Sequence, residues 1–149
     1  MASFRNMLLC YDATLEGRRA LIQGADLAQA LGAETHLLAI AGTIVGGSMV
    51  DMPSRTALSQ EEATVKAVLK EGVERLRARG LVATGRLAIG RPMDQIAACA
   101  RDLKVDLIVI GHRPRVGMAR WWAGPGNTQL LDLVTCSVLV SIDPSESAG

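Results

Sequence analysis

The residues best suited to chemistry lie together in one stretch. From Gly111 to Thr128 the chain reads Gly-His-Arg-Pro-Arg-Val-Gly-Met-Ala-Arg-Trp-Trp-Ala-Gly-Pro-Gly-Asn-Thr. Gly111, Gly117, Gly124 and Gly126 let backbone amides approach an anion closely. Exposed N–H groups ahead of a helix start, such as those of Gly126, Asn127 and Thr128, stabilise its charge. His112, Arg113, Arg115 and Arg120 add basic side chains, with no acid between Gly111 and Gln129. The chemistry this favours is binding of a phosphate or another small anion. A plainer alternative stays open, in which the glycines turn the chain and the arginines solvate a loop.

Other reactive types are less organised. His112 has no evident Ser, Cys or Asp partner, so a nucleophilic triad is unsupported and no catalytic residue is expected. His36 falls inside an apolar strand and reads as structural. Cys10, Cys99 and Cys136 show neither CxxC nor Cys/His spacing, so no metal site is expected and the thiols read as reduced. Cys10 and Cys136 adjoin apolar runs and read as buried small hydrophobes. Asp12 either faces a ligand or caps a helix. Trp121 and Trp122 either stack on a base or pack under the loop. Met49 and Met52 lie in a Gly- and Pro-containing stretch, 42–58, that could serve as a lid or a partner contact.

The elements that must position these residues alternate. Asn6 to Tyr11 reads as a buried strand, and Thr14 to Leu31 as a helix with Leu21, Ala25, Ala28 and Leu31 on one face. Gly32 ends that helix. Thr35 to Ala41 is a second strand. Ser59-Gln60-Glu61-Glu62 has the pattern of a capping box, which predicts a helix starting at Ser59. Its apolar face is Val65, Leu69, Val73 and Leu76, and Gly80 closes it. Val82 to Ile89 reads as an edge strand, because Thr84 and Arg86 interrupt its apolar run. Pro92 suits the first turn of the next helix. Asp106 to Ile110 reads as a strand whose run Leu107 to Ile110 is unbroken and apolar, the pattern of a parallel strand covered on both faces. A helix near Asn127 to Val134 and a strand at Ser137 to Ile142 complete the pattern.

Such alternation predicts one α/β domain over residues 1–142 with a polar tail at 143–149: a doubly wound, five-stranded parallel sheet with helices on both faces. In strand order 3-2-1-4-5, strands 1 and 4 flank the switch point, where ligands bind at the carboxyl ends of the strands. Asp12 and Gly111 stand at those two ends. Aromatics make up only 3%, so Leu, Ile, Val and Ala must build the core. A net charge of +1 argues against a nucleic-acid binder. No stretch has the apolar length of a membrane span or signal peptide, so a cytoplasmic protein without membrane partners is expected.

The whole chain resembles the universal stress protein family. The resemblance rests on the strand ending in Asp12, Gly32-Ala33-Glu34-Thr35-His36-Leu37-Leu38, Gly90-Arg91-Pro92, and Asp106-Leu107-Ile108-Val109-Ile110-Gly111. Cys136-Ser137-Val138-Leu139-Val140 is similar to the family's Cys-Pro-Val-Leu-Val. Nucleotide-binding members carry Gly-x2-Gly-x9-Gly-(Ser/Thr). Counted from Gly111, that pattern places Pro114 at the second glycine, Gly124 at the third and Pro125 at the Ser/Thr. The resemblance implies that Asp12 meets the adenine or ribose side of a nucleotide and that Ile40 lies beside the base. Gly111, Arg113, Arg115, Gly117, Gly124, Gly126, Asn127 and Thr128 would then form the phosphate side.

Two departures weaken that site. Pro125 has neither a backbone N–H nor a hydroxyl, and Pro114 fixes φ near −65° where glycine would allow close approach. The expected ligand is thus an adenine nucleotide, AMP or ATP, held weakly, or another small anion. The expected function is non-catalytic regulation as a homodimer paired through Ser137 to Ile142, acting on a regulatory protein partner that the sequence leaves unknown. A nucleotide hydrolase or phosphotransferase, and a metabolite sensor that does not use ATP, are the alternatives. The first would need a metal-binding Asp/Ser set that the loop lacks.

Overall fold

The structure is a computed structural model that describes residues 4–11, 15–41, 55–112 and 127–142. The elements in order are β1 Asn6–Cys10, α1 Leu15–Leu31, β2 Glu34–Ala41, α2 Arg55–Ala78 and β3 Ala83–Ile89. There follow α3 Pro92–Leu103, β4 Leu107–His112, α4 Asn127–Leu133 and β5 Ser137–Ile142. The five strands form one parallel sheet of order β3-β2-β1-β4-β5.

Strand periodicity divides the core in two. Met7, Leu9 and Tyr11 of the first strand segment, with Leu37, Leu107 and Val109, pack under α1 and α2. Leu8, Cys10, Leu38, Ile108 and Ile110 face the other way, against Met93, Ile96 and Ala100 of α3 and Leu130 of α4. Because β1 and β4 are covered on both faces, their runs Met7–Cys10 and Leu107–Ile110 are apolar, as a central parallel strand requires. Gly72 lets α2 settle on the sheet. A Cβ there would meet the Leu37 side chain and lie 3.0 Å from the Tyr11 ring.

At the amino ends of β1 and β4, polar groups tie the layers together. Asp106 accepts hydrogen bonds from the backbone N–H of Arg5 at 2.9 Å and of Asn6 at 3.2 Å. Lys104 ends α3 in the left-handed region (φ 53°), and its N–H donates to the carbonyls of Ala100 and Arg101.

Three sequence expectations are corrected. Helix α2 begins at Arg55, so Ser59 lies inside it and Ser59–Glu62 is no cap. The good helix formers Arg55, Ala57 and Leu58 carry the helix back toward Pro53, and a local cap pattern cannot stop it. Strand β4 runs through Gly111 to His112, so Gly111 is a strand residue in register with Ser141 and the loop starts later. Cys136 is half-buried, because it precedes an edge strand, whereas Cys10 and Cys99 are buried.

Candidate functional site

Strand order reverses between β1 and β4, since β1 pairs with β2 on one side and β4 on the other. Helix α1, which follows β1, packs on one face and α4, which follows β4, on the other, the position at which sheets of this kind open a ligand crevice. The walls follow from the registers. Tyr11 extends the β1 ladder by donating its N–H to the Leu38 carbonyl at 2.9 Å. Ile40, one residue before the end of β2, is in register with Ala88 and packs partly buried on the α3 side. Gly111 is buried near the end of β4.

Of the expected site residues, Ile40 and Gly111 are therefore brought to the same end of the sheet, with β1 between their strands. Asn127 and Thr128 form the first positions of α4. Asp12, Arg113, Arg115, Gly117, Gly124 and Gly126 lie outside the described residues, as do Pro114, Pro125, Trp121, Trp122, Met49, Met52 and the tail.

Tyr11 is a feature of this end of the sheet that sequence reasoning passed over. It is 4% exposed and packed against α2, and its hydroxyl has no hydrogen-bond partner among the described residues. Buried tyrosine hydroxyls normally find a partner. The available signal was the chain's single tyrosine standing directly before Asp12.

Perturbed titrations lie elsewhere. Burial pushes the Cys99 and Cys136 thiols up, and burial, with Arg86 adding to it, holds His36 below its ordinary value. Among the described residues no three His, Cys, Asp or Glu side chains could hold a metal ion. His36 sits at the opposite end of β2 from the crevice, between Thr84 and Asn6, which agrees with a structural role. Among the described residues, this end of the sheet presents the buried Tyr11, the partly buried Ile40 and the buried Gly111.

Comparison with known proteins supports the same fold. A family model described as the universal stress protein family matches residues 3–141. Universal stress protein UspA from Lactobacillus plantarum is 20% identical, with 95% of this chain and 99% of that one covered at a TM-score of 0.74. A universal stress protein solved in complex with cAMP is 18% identical, with 93% and 97% covered at 0.67. One from Archaeoglobus fulgidus in complex with dAMP is 17% identical, with 94% and 98% covered at 0.62. No curated protein matches the chain in sequence.

Proposed function

The chain belongs to the universal stress protein family, and on that premise we propose that it is a non-catalytic regulatory module holding an adenine nucleotide weakly at the β1/β4 crevice. The observation that carries this is the reversal of strand order between β1 and β4, which puts Ile40 and Gly111 at one end of the sheet. Structural neighbours solved with cAMP and dAMP support an adenine nucleotide as the ligand class. In this role the Ile40 backbone lies beside the base, Asp12 meets the ribose or adenine edge, and Arg113, Arg115 and the amides of Gly124, Gly126, Asn127 and Thr128 face the phosphate. Pro125 removes a donor N–H and a hydroxyl from the phosphate side, which lowers affinity most for a triphosphate. It also removes a metal-ligating hydroxyl that phosphoryl transfer would need.

The module acts as a homodimer. Strand β5 is an edge of the sheet whose sequence, Ser-Val-Leu-Val-Ser-Ile, is apolar, yet Leu139 is 40% and Ile142 58% exposed. Leu131 and Leu133 of α4 add exposed apolar surface. An uncovered apolar edge favours pairing with a second copy. No helix among the described residues is long and apolar enough to cross a membrane, and the proposed setting is the cytoplasm. Nucleotide binding then biases how the dimer meets a regulatory partner.

The test is Pro125→Ser. ATP affinity should rise at least about tenfold, with no ATP turnover by the wild-type protein. Steady turnover by pure wild-type protein, or unchanged affinity in the variant, would contradict the proposal.

A further inference from the structure

The edge strand β3 is covered unequally. On one face α2 presses hard against it, and a Cβ at Gly85 would come within 2.9 Å of Val73 and 3.2 Å of Leu69. On the other face α3 stands off. Its residues Gln95, Ala98, Cys99 and Asp102, spaced i, i+3, i+4 and i+7, form one stripe facing β3. Ala88 and Ala98 are too small to fill the gap, and a cleft of about 350 Å³ remains, the size of a small-ligand site. It lies one strand outward from β2 and uses none of the residues assigned to the nucleotide.

The polar groups of this cleft are of both signs. Arg86 Nη2 lies 3.8 Å from Asp102 Oδ2, too far for a hydrogen bond, and both side chains are about half exposed. The Arg86 guanidinium lies against the buried Cys99 thiol, whose weak bond leaves most of its five N–H groups available to a better acceptor. A simple anion would have to face Asp102, and a simple cation would have to face Arg86. A ligand carrying both charges on groups attached to one carbon satisfies the two at once, and its apolar part can lie on Ala88 and Ala98. Gln95 folds over Gly90 and limits the length of that part.

We propose that the cleft between β3 and α3 binds a free α-amino acid with a compact apolar side chain, carboxylate on Arg86 and ammonium on Asp102. The contact area is small and open, so the dissociation constant should be on the order of 1 mM.

The experiment is a titration of isotope-labelled protein with L-valine, followed by the amide signals of Ala88, Gln95 and Ala98. Saturable shifts are expected. Isovalerate, lacking the ammonium, and isobutylamine, lacking the carboxylate, should each bind at least about tenfold more weakly. Arg86→Gln and Asp102→Asn should each weaken valine by a similar factor without lowering the melting temperature, since both side chains are exposed. Absence of saturation at about 20 mM valine, about twenty times the expected constant, would overturn the proposal. So would isovalerate or isobutylamine binding as well as valine, or valine binding unchanged in both variants.

Discussion

His36 and Asn6 fix each other's orientation across two strands. Asn6 Nδ2 donates to the Leu103 carbonyl at 2.8 Å and to the Lys104 carbonyl at 3.3 Å, so its Oδ1 must face His36. The His36 Nε2 lies 2.7 Å from that oxygen and therefore carries the proton. The other ring nitrogen, Nδ1, then accepts from the Thr84 hydroxyl at 2.7 Å. One neutral imidazole thus links β3, β2 and β1 to the end of α3.

This arrangement favours the neutral ring. Burial lowers the His36 pKa, Arg86 lowers it further, and Glu34 opposes them. With the folded value below the unfolded one of 6.5, the contribution to stability is complete above pH 6.5 and is lost as pH falls through the folded value. Melting temperature should fall between pH 7 and pH 5 by more in the wild type than in His36→Gln. Equal slopes would contradict the assignment.

Asn6→Ala should destabilise the protein by about 1–3 kcal/mol, since it leaves the His36 N–H and the Leu103 carbonyl without their partner. Urea unfolding at pH 7.5 measures it. A change within about 0.5 kcal/mol, as at an ordinary surface position, would show the link to be unimportant.

Gly72→Ala sets two effects against each other. Helix propensity favours alanine by about 1 kcal/mol. The added methyl meets the Leu37 side chain and the Tyr11 ring at 3.0 Å, and overpacking of a tight core costs about 1–3 kcal/mol. Net destabilisation is expected in thermal unfolding, because Leu37 and Tyr11 are themselves buried and have nowhere to move. A stabilised variant would mean that α2 lies farther from the sheet.

Leu139→Arg should convert the proposed homodimer to a monomer with little loss of fold, because Leu139 is already 40% exposed in the single chain. Sedimentation of both proteins at matched concentration checks this. A wild-type monomer, or a dimer that survives the change, would remove β5 as the pairing edge.

Most of the fold was legible because its signals are local. The unbroken run Leu107–Ile110 could only be a covered strand, and Thr84 and Arg86 marked β3 as an edge, as found. The start of α2 was not legible, because Ser59 and Glu62 match a cap pattern while the preceding residues are good helix formers. Contacts between distant positions were hidden for a different reason. His36 meets Asn6 and Thr84 across 30 and 48 residues, and no periodicity reports such a meeting. The β3–α3 cleft was likewise invisible, since it depends on Ala88 and Ala98 lining one gap between a strand and a helix. For the proposed nucleotide site, strand order indicated which end of the sheet to consider, and Ile40 and Gly111 lie near the carboxyl ends of β2 and β4.

Calorimetric titration of AMP, ADP and ATP into the purified protein, with and without magnesium, tests the central claim most directly. Saturable binding of at least one adenine nucleotide below about 1 mM, weakened by Asp12→Ala and unaccompanied by turnover, is the predicted result. Absence of binding by all three up to several times that concentration would contradict it and leave a stress-type module that acts through protein contacts alone.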